Sequence, residues 1–221
     1  MNGWGNSTGM QRKSLFNNLA HNRALVLILV DHRRQKHEIG NMEYEVEEEW
    51  VGDSIKTKEK VSWAHSPARN KHVGGISIAI HPVLGRYATA KPRVDKWGRW
   101  VEVDIIGKNK TVTTIIGTYG PTGSSRSGGQ SMWAYQQEQI FRLERRREGK
   151  HGQDPNPKSQ YVEDIHHMLQ HKSEEAMNNG ITQHIILTGD MNVNWTGDKK
   201  IVTEWKNIME ESNMTNVMEW K

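Results

Sequence analysis

Short apolar runs rich in Val, Ile and Thr alternate along this chain with longer stretches whose apolar residues recur at helical spacing. Leu25 to Val30, Val61 to His65, Gly75 to His81, Trp100 to Ile106 and Thr111 to Thr118 predict strands, and Ile185 to Thr188 predicts another. The segment Gly107-Lys108-Asn109-Lys110 between two of these runs reads as a hairpin connection, which makes its flanking strands antiparallel neighbours. Met10 to Ala20 carries Leu15, Phe16, Leu19 and Ala20 on a helical repeat. Ser131 to Glu148 predicts a second helix, and Ser159 to Asn178 a third that stops at Gly180, a residue suited to the left-handed end of a helix. Glu43 to Lys60 mixes strand alternation with a charged, helix-tolerant composition and supports neither assignment alone. Alternation of the two element types predicts an α/β (α+β) protein.

Three of the apolar runs deliver a polar group where they end. Leu25 to Val30 leads into Asp31, Thr111 to Thr118 into Tyr119-Gly120-Pro121, and Ile185 to Thr188 into Gly189-Asp190-Met191-Asn192. Polar groups at strand exits suggest one pocket above a sheet. Side chains alternate across a strand, so if the extended backbone continues through Asn192, Asp190 and Asn192 point to the same side. A carboxylate can bind or deprotonate while the neighbouring carboxamide donates to a phosphoryl oxygen. The same residue types also build turns, and it is the set of three exits that favours a site.

Composition narrows the classes. The 221 residues are only 34% hydrophobic, which implies many loops and solvated faces. No apolar run approaches the roughly 18 residues of a membrane span, and no signal-peptide pattern opens the chain. Zero cysteines exclude disulfides, thiolate metal sites and a cysteine nucleophile, and fit an intracellular protein. The formal charge of +4 permits nucleic-acid binding, with Arg33-Arg34 and the stretch Arg69 to Lys71 as clusters able to flank a groove. His167 and His171 have the i, i+4 spacing of zinc ligands, but a solvated helix face accounts for them. Trp97 and Trp100 are more readily explained as packing anchors than as stacking platforms for bases.

Taken in order, these residues resemble the endonuclease/exonuclease/phosphatase family, and within it the apurinic/apyrimidinic-like endonuclease domain of non-LTR retrotransposons. Asn2-Gly3 with the first helix, the strand ending at Asp31, Gly74-Gly75-Ile76, Tyr119-Gly120-Pro121, Gly189-Asp190-Met191-Asn192 and Met214-Thr215-Asn216-Val217 each resemble a family element. The resemblance implies a DNase I-like fold, a two-sheet β-sandwich flanked by helices. It implies phosphodiester hydrolysis with magnesium, manganese being the alternative ion, on a nucleic acid, DNA first. Asp31 would hold the metal, Asp190 would orient or activate water, Asn192 would bind the phosphate, and Tyr119 would stabilise the pentacoordinate state. A retroelement origin would imply a nuclear protein.

The chain also departs from that pattern. The family's first strand and its metal-site Asn have no counterpart before Asn2, and no histidine follows Asn192 to match the family's closing Ser-Asp-His. The expectation is therefore one incomplete domain over 1–221, lacking the first and last strands and carrying an insertion at 123–157. Asp31 stands where the family has Glu, one methylene shorter. Because a positioned acid or base contributes about 10²–10⁴ in rate, hydrolysis is expected to be impaired or lost. The alternatives are an inactive nucleic-acid-binding remnant or a phosphatase of the same family.

Overall fold

A computed structural model describes residues 9–50, 60–68, 73–89, 91–123, 131–148, 156–197 and 199–215. Asn2-Gly3, Arg69, Lys71, residues 124–130 and 149–155 of the expected insertion at 123–157, and Asn216-Val217 lie outside them. The chain divides into two compact units, Met1–Tyr119 with Thr182–Asp190, and Gly120–Ile181 with Met191–Lys221.

The first unit is a two-sheet sandwich. Strands β1 (Val26–Val30), β2 (Ser62–Ser66) and β3 (Ile76–Ile80) form an antiparallel sheet in the order β1-β3-β2. β3 is apolar at every position but Ser77, because it is central and every residue in it is buried. Strands β4 (Arg93–Val94), β5 (Trp100–Ile106), β6 (Thr111–Tyr119) and β7 (Thr182–Asp190) form the second sheet in that order. β5 and β6 are the expected antiparallel hairpin, with Asn109 and Lys110 at φ 53 and 59 in its turn. β6 and β7 run parallel, a pairing that needs a long crossover, supplied here by residues 120–181.

Alternation along β1 explains the layers. Leu27 and Leu29 face helices α1 (Gly9–His21) and α2 (Ile39–Trp50), forming a core with Phe16, Met42, Val46, Trp50, Val61 and Ala79. Met42, Val46 and Trp50 lie one turn apart on α2, which settles the ambiguous 43–60 segment as helix as far as Trp50. Residues 51–59 are outside the described set. Ile28 takes the opposite face with Ile76 and Ile78, against β6 of the other sheet. A Cβ on Gly117 would lie 3.0 Å from Ile28 Cγ2 and 3.3 Å from both Ile76 Cγ2 and Ile78 Cγ1. The missing side chain is what lets the sheets approach there.

Contacts at both ends fix the relative direction of the strands. At one end a Cβ on Gly98, just before β5, would lie 2.8 Å from Ser66 Oγ at the close of β2. At the other, Ser62 Oγ donates to the Gly85 carbonyl at 3.4 Å, at the end of the single-turn helix α3 (Pro82–Gly85). The segment after α3 is tied to the far end of β5 by Thr89 N to Asp104 O and Ile106 N to Tyr87 O, both 2.8 Å. Val30 pairs with Ile76 beside Ser66, and Thr118 pairs with Trp100 beside Gly98. The exits of β1, β6 and β7 therefore share one end of the sandwich.

The second unit is helical, built from α4 (Met132–Glu148), α5 (Pro157–Asn179) and α6 (Lys199–Glu211). Asn156 caps α5 by accepting from Lys158 N and Ser159 N, Pro157 opens it, and Gly180 closes it in the left-handed conformation (φ 59, ψ 42). Ile201, Trp205 and Ile208 of α6 are buried at helical spacing, and Trp205 meets Tyr161 of α5 edge to face at 5.9 Å. Among the described residues no helix is long and apolar enough to cross a membrane.

Candidate active site

Tyr119 and Asp190 are register partners on the parallel strands β6 and β7, each the last residue of its strand. Parallel neighbours lie about 4.7–4.9 Å apart, so a phenol-bearing and a carboxylate-bearing backbone position adjoin at the sandwich end. Tyr119 is buried and Asp190 half-buried. The β6 exit is held from behind. Arg99 O accepts Tyr119 N at 2.8 Å and Thr118 Oγ1 at 3.1 Å.

Arg99 is itself fixed by a buried ion pair. Asp95 accepts from Arg99 Nε at 2.8 Å and Nη2 at 3.1 Å, and from the backbone N–H groups of Trp97 and Arg99, both at 3.1 Å. The guanidinium also stacks against Trp97 (4.4 Å) and Trp100 (4.8 Å). The two tryptophans thus pack as anchors around a buried cation, as the sequence suggested.

β7 reaches Asp190 through Gly189, whose φ is 142. A Cβ there would sit 2.0 Å from Thr118 O, so only glycine lets β7 stay in register with β6. Beyond Asp190 the expected extended course through Asn192 is not what the chain adopts. β7 ends at Asp190, and Asn192 takes a left-handed conformation (φ 51) that asparagine tolerates. Asp190 and Asn192 therefore do not follow the period-two alternation that would place them on one side. In the second unit, Asn192 Nδ2 donates to the Gly120 carbonyl at 2.9 Å.

Asp31 leaves β1 at the same end with φ 50 and a buried side chain. Its Oδ1 accepts Gly74 N at 2.7 Å, and its Oδ2 accepts Arg33 Nε at 3.1 Å and Nη2 at 2.8 Å. Both oxygens are engaged, and a guanidinium covers the outer one. A magnesium ion binding there would meet a fixed positive charge within a few ångströms. Among the described residues no group of three or more His, Asp or Glu side chains is arranged to hold a metal. The donor set as folded does not fit the divalent cation that the family resemblance implies.

Two histidines near this end belong to none of the motifs that mark the site in the sequence. His32 is fully buried, its ring lying against Gly75, where a Cβ would come within 2.4 Å. Its Nδ1 accepts Arg34 N at 3.0 Å, while Nε2 has no hydrogen-bond partner among the described residues. Burial first, then the neighbouring His65 and Arg34 charges, lower its pKa from 6.5 to about 4, so the ring is neutral. His65 bridges Ser77 Oγ (2.8 Å) and Glu43 Oε1 (2.7 Å) and stacks on Trp63. Burial lowers its pKa, opposed by Glu43. The hydroxyl, imidazole and carboxylate resemble a nucleophile relay. Ser77 is fully buried on β3, so the line serves to strap α2 to the sheet.

No family model and no curated protein sequence matches the chain. Solved structures do. The crystal structure of AP endonuclease LMAP from Leishmania major superposes with a TM-score of 0.61 at 14% identity, over 96% of this chain and 65% of that one. A β-hairpin deletion mutant of beta toxin from Staphylococcus aureus gives a TM-score of 0.47 at 15% identity, over 94% of this chain and 66% of that one. The chain spans just under two thirds of the length of each. The first likeness establishes the fold: a mixed α/β protein of two sheets with helices, of the DNase I-like type.

Proposed function

We propose that this protein acts on nucleic-acid phosphodiesters at the sandwich end where β1, β6 and β7 leave their sheets. The observation that carries the reading is the register pairing of Tyr119 with Asp190 at that end. Asp190 is the group able to take a proton from an attacking water. Tyr119, from inside the protein, is able to donate a hydrogen bond toward a phosphoryl oxygen. The fold likeness to an AP endonuclease supports a nuclease-type activity. The retroelement relation rests on the Asn2-Gly3 opening, the Gly74-Gly75 strand and the general run of the chain. Asp31 as folded is closed by Arg33, and Asn192 Nδ2 donates to the Gly120 carbonyl.

One observation favours a second reading, nucleic-acid binding without cleavage. A guanidinium rests on Asp31, the carboxylate to which the family resemblance gives the metal. Nicking of supercoiled plasmid, compared with Asp190→Ala and with filter-binding of the same DNA, separates the two. Nicking lost in the variant supports hydrolysis, binding without nicking supports the second reading, and neither binding nor nicking removes both.

A further inference from the structure

At the exit of β1 the structure presents a positive group in an ordered setting, where the family resemblance leads one to look for a metal. Asp31 and Arg33 both take left-handed backbone conformations (φ 50 and 58), which folds the side chain at 33 back onto the carboxylate two residues earlier. His32 N and Arg33 N are tied to Gly75 O at 3.4 Å and Gly74 O at 3.0 Å. The loop is therefore sewn to the start of β3 on both backbone and side-chain sides. The Asp31 side chain is 6% exposed and that of Arg33 30% exposed, so the anion is the buried anchor and the cation the accessible face.

A guanidinium has five N–H donors in a planar fork. Nε–H and one Nη2–H serve Asp31. The remaining three, on Nη1 and Nη2, take no part in the ion pair and suit the oxygens of a phosphate, which guanidinium groups bind in a forked geometry. Because its rotamer is already fixed by Asp31, Arg33 loses little side-chain entropy when an anion arrives. Charge decides between the two kinds of ligand. A dication entering at Oδ2 must displace the guanidinium or sit beside it, whereas an anion meets donors whose counter-charge lies behind them.

We propose that Arg33, anchored by Asp31, is a phosphate-binding residue, and that this end of the sandwich takes a nucleic-acid phosphate without a divalent cation. The proposal rests on the nucleic-acid function for its ligand class, and on the Asp31–Arg33 geometry for its site.

Two measurements on the full chain test it. Fluorescence anisotropy with a labelled DNA duplex is run in EDTA and in excess Mg²⁺, for wild type, Arg33→Gln, Arg33→Lys and Asp31→Asn. Affinity is expected to be the same with and without the ion, to fall roughly tenfold in Arg33→Gln, and to lose about one from its salt-dependence slope. Arg33→Lys keeps a cation against Asp31 and guards against misfolding; it is expected to bind between the two. An NMR titration with inorganic phosphate then follows the Arg33 Nε–H resonance, which is expected to move. DNA binding that requires Mg²⁺, is lost in Asp31→Asn and is normal in Arg33→Gln overturns the proposal. So does an Arg33 resonance unmoved by phosphate. A resonance that moves with phosphate in a protein that does not bind DNA supports the site and removes the nucleic-acid function alone.

Discussion

Tyr119 and Asp190 face one another across the parallel β6–β7 pair at the last position of both strands. If Asp190 is the base, Asp190→Ala is expected to lower plasmid nicking by about 10²–10⁴. The far-UV circular dichroism should be unchanged, since the residue is half-buried at a strand end. Equal nicking by the two proteins would take Asp190 out of the chemistry.

That pairing depends on Gly189. Its φ of 142, and the 2.0 Å that would separate a Cβ there from Thr118 O, leave no room for a side chain. Gly189→Ala is expected to cost about 1–3 kcal/mol for the backbone conformation alone, and more for the collision. Chemical denaturation measures it, and a variant as stable as wild type would mean that β7 is not held against β6 in this register.

The buried Asp95–Arg99 pair supports the same end from below. Removing one partner of a buried ion pair typically costs about 3–5 kcal/mol, because the other is left uncompensated. Arg99→Ala strands Asp95 and also removes the cation between Trp97 and Trp100. A large fall in thermal midpoint with a red-shifted tryptophan emission is the expected result. A small fall would show that the pair is dispensable.

His32 makes stability depend on pH. Its folded pKa, about 4, lies below the ordinary 6.5, so between these values the unfolded chain binds the proton more readily than the folded one. The contribution of the neutral ring is fully present above pH 6.5 and is lost as pH falls toward 4. The difference corresponds to roughly 3 kcal/mol. Urea unfolding at pH 7 and at pH 4.5 is expected to show the loss, and His32→Gln is expected to flatten that part of the profile. An unchanged slope in the variant would assign the pH dependence elsewhere.

The strands other than the two-residue β4 were legible because their β-branched runs are short and bounded by turn residues, and the long helix α5 because of its apolar repeat and Gly180, although it starts at Pro157, two residues before the expected Ser159, where Asn156 caps it. α2 was obscured by its acidic run and by Tyr44, which is exposed, although Met42, Val46 and Trp50 carry the helical repeat. α6 carried the same kind of signal in Ile201, Trp205 and Ile208. At the site, the three strand exits could be read from composition, and their common end follows from the sheet contacts. The closure of Asp31 by Arg33 could not be read. It depends on two left-handed backbone conformations and on Gly74 N–H, none of which a linear pattern announces. The role of His32 was hidden for a related reason, since its burial comes from the close approach of Gly75.

If nucleic-acid phosphates meet this protein at the end where β1, β6 and β7 leave their sheets, the backbone amides there must sense them. An NMR map of those amides during titration with a short DNA duplex is the most direct test. Shifts are expected to concentrate at residues 31–34, 74–75, 119 and 189–190. Shifts confined to the helices α5 and α6, with those positions silent, would contradict a phosphate site at the sandwich end.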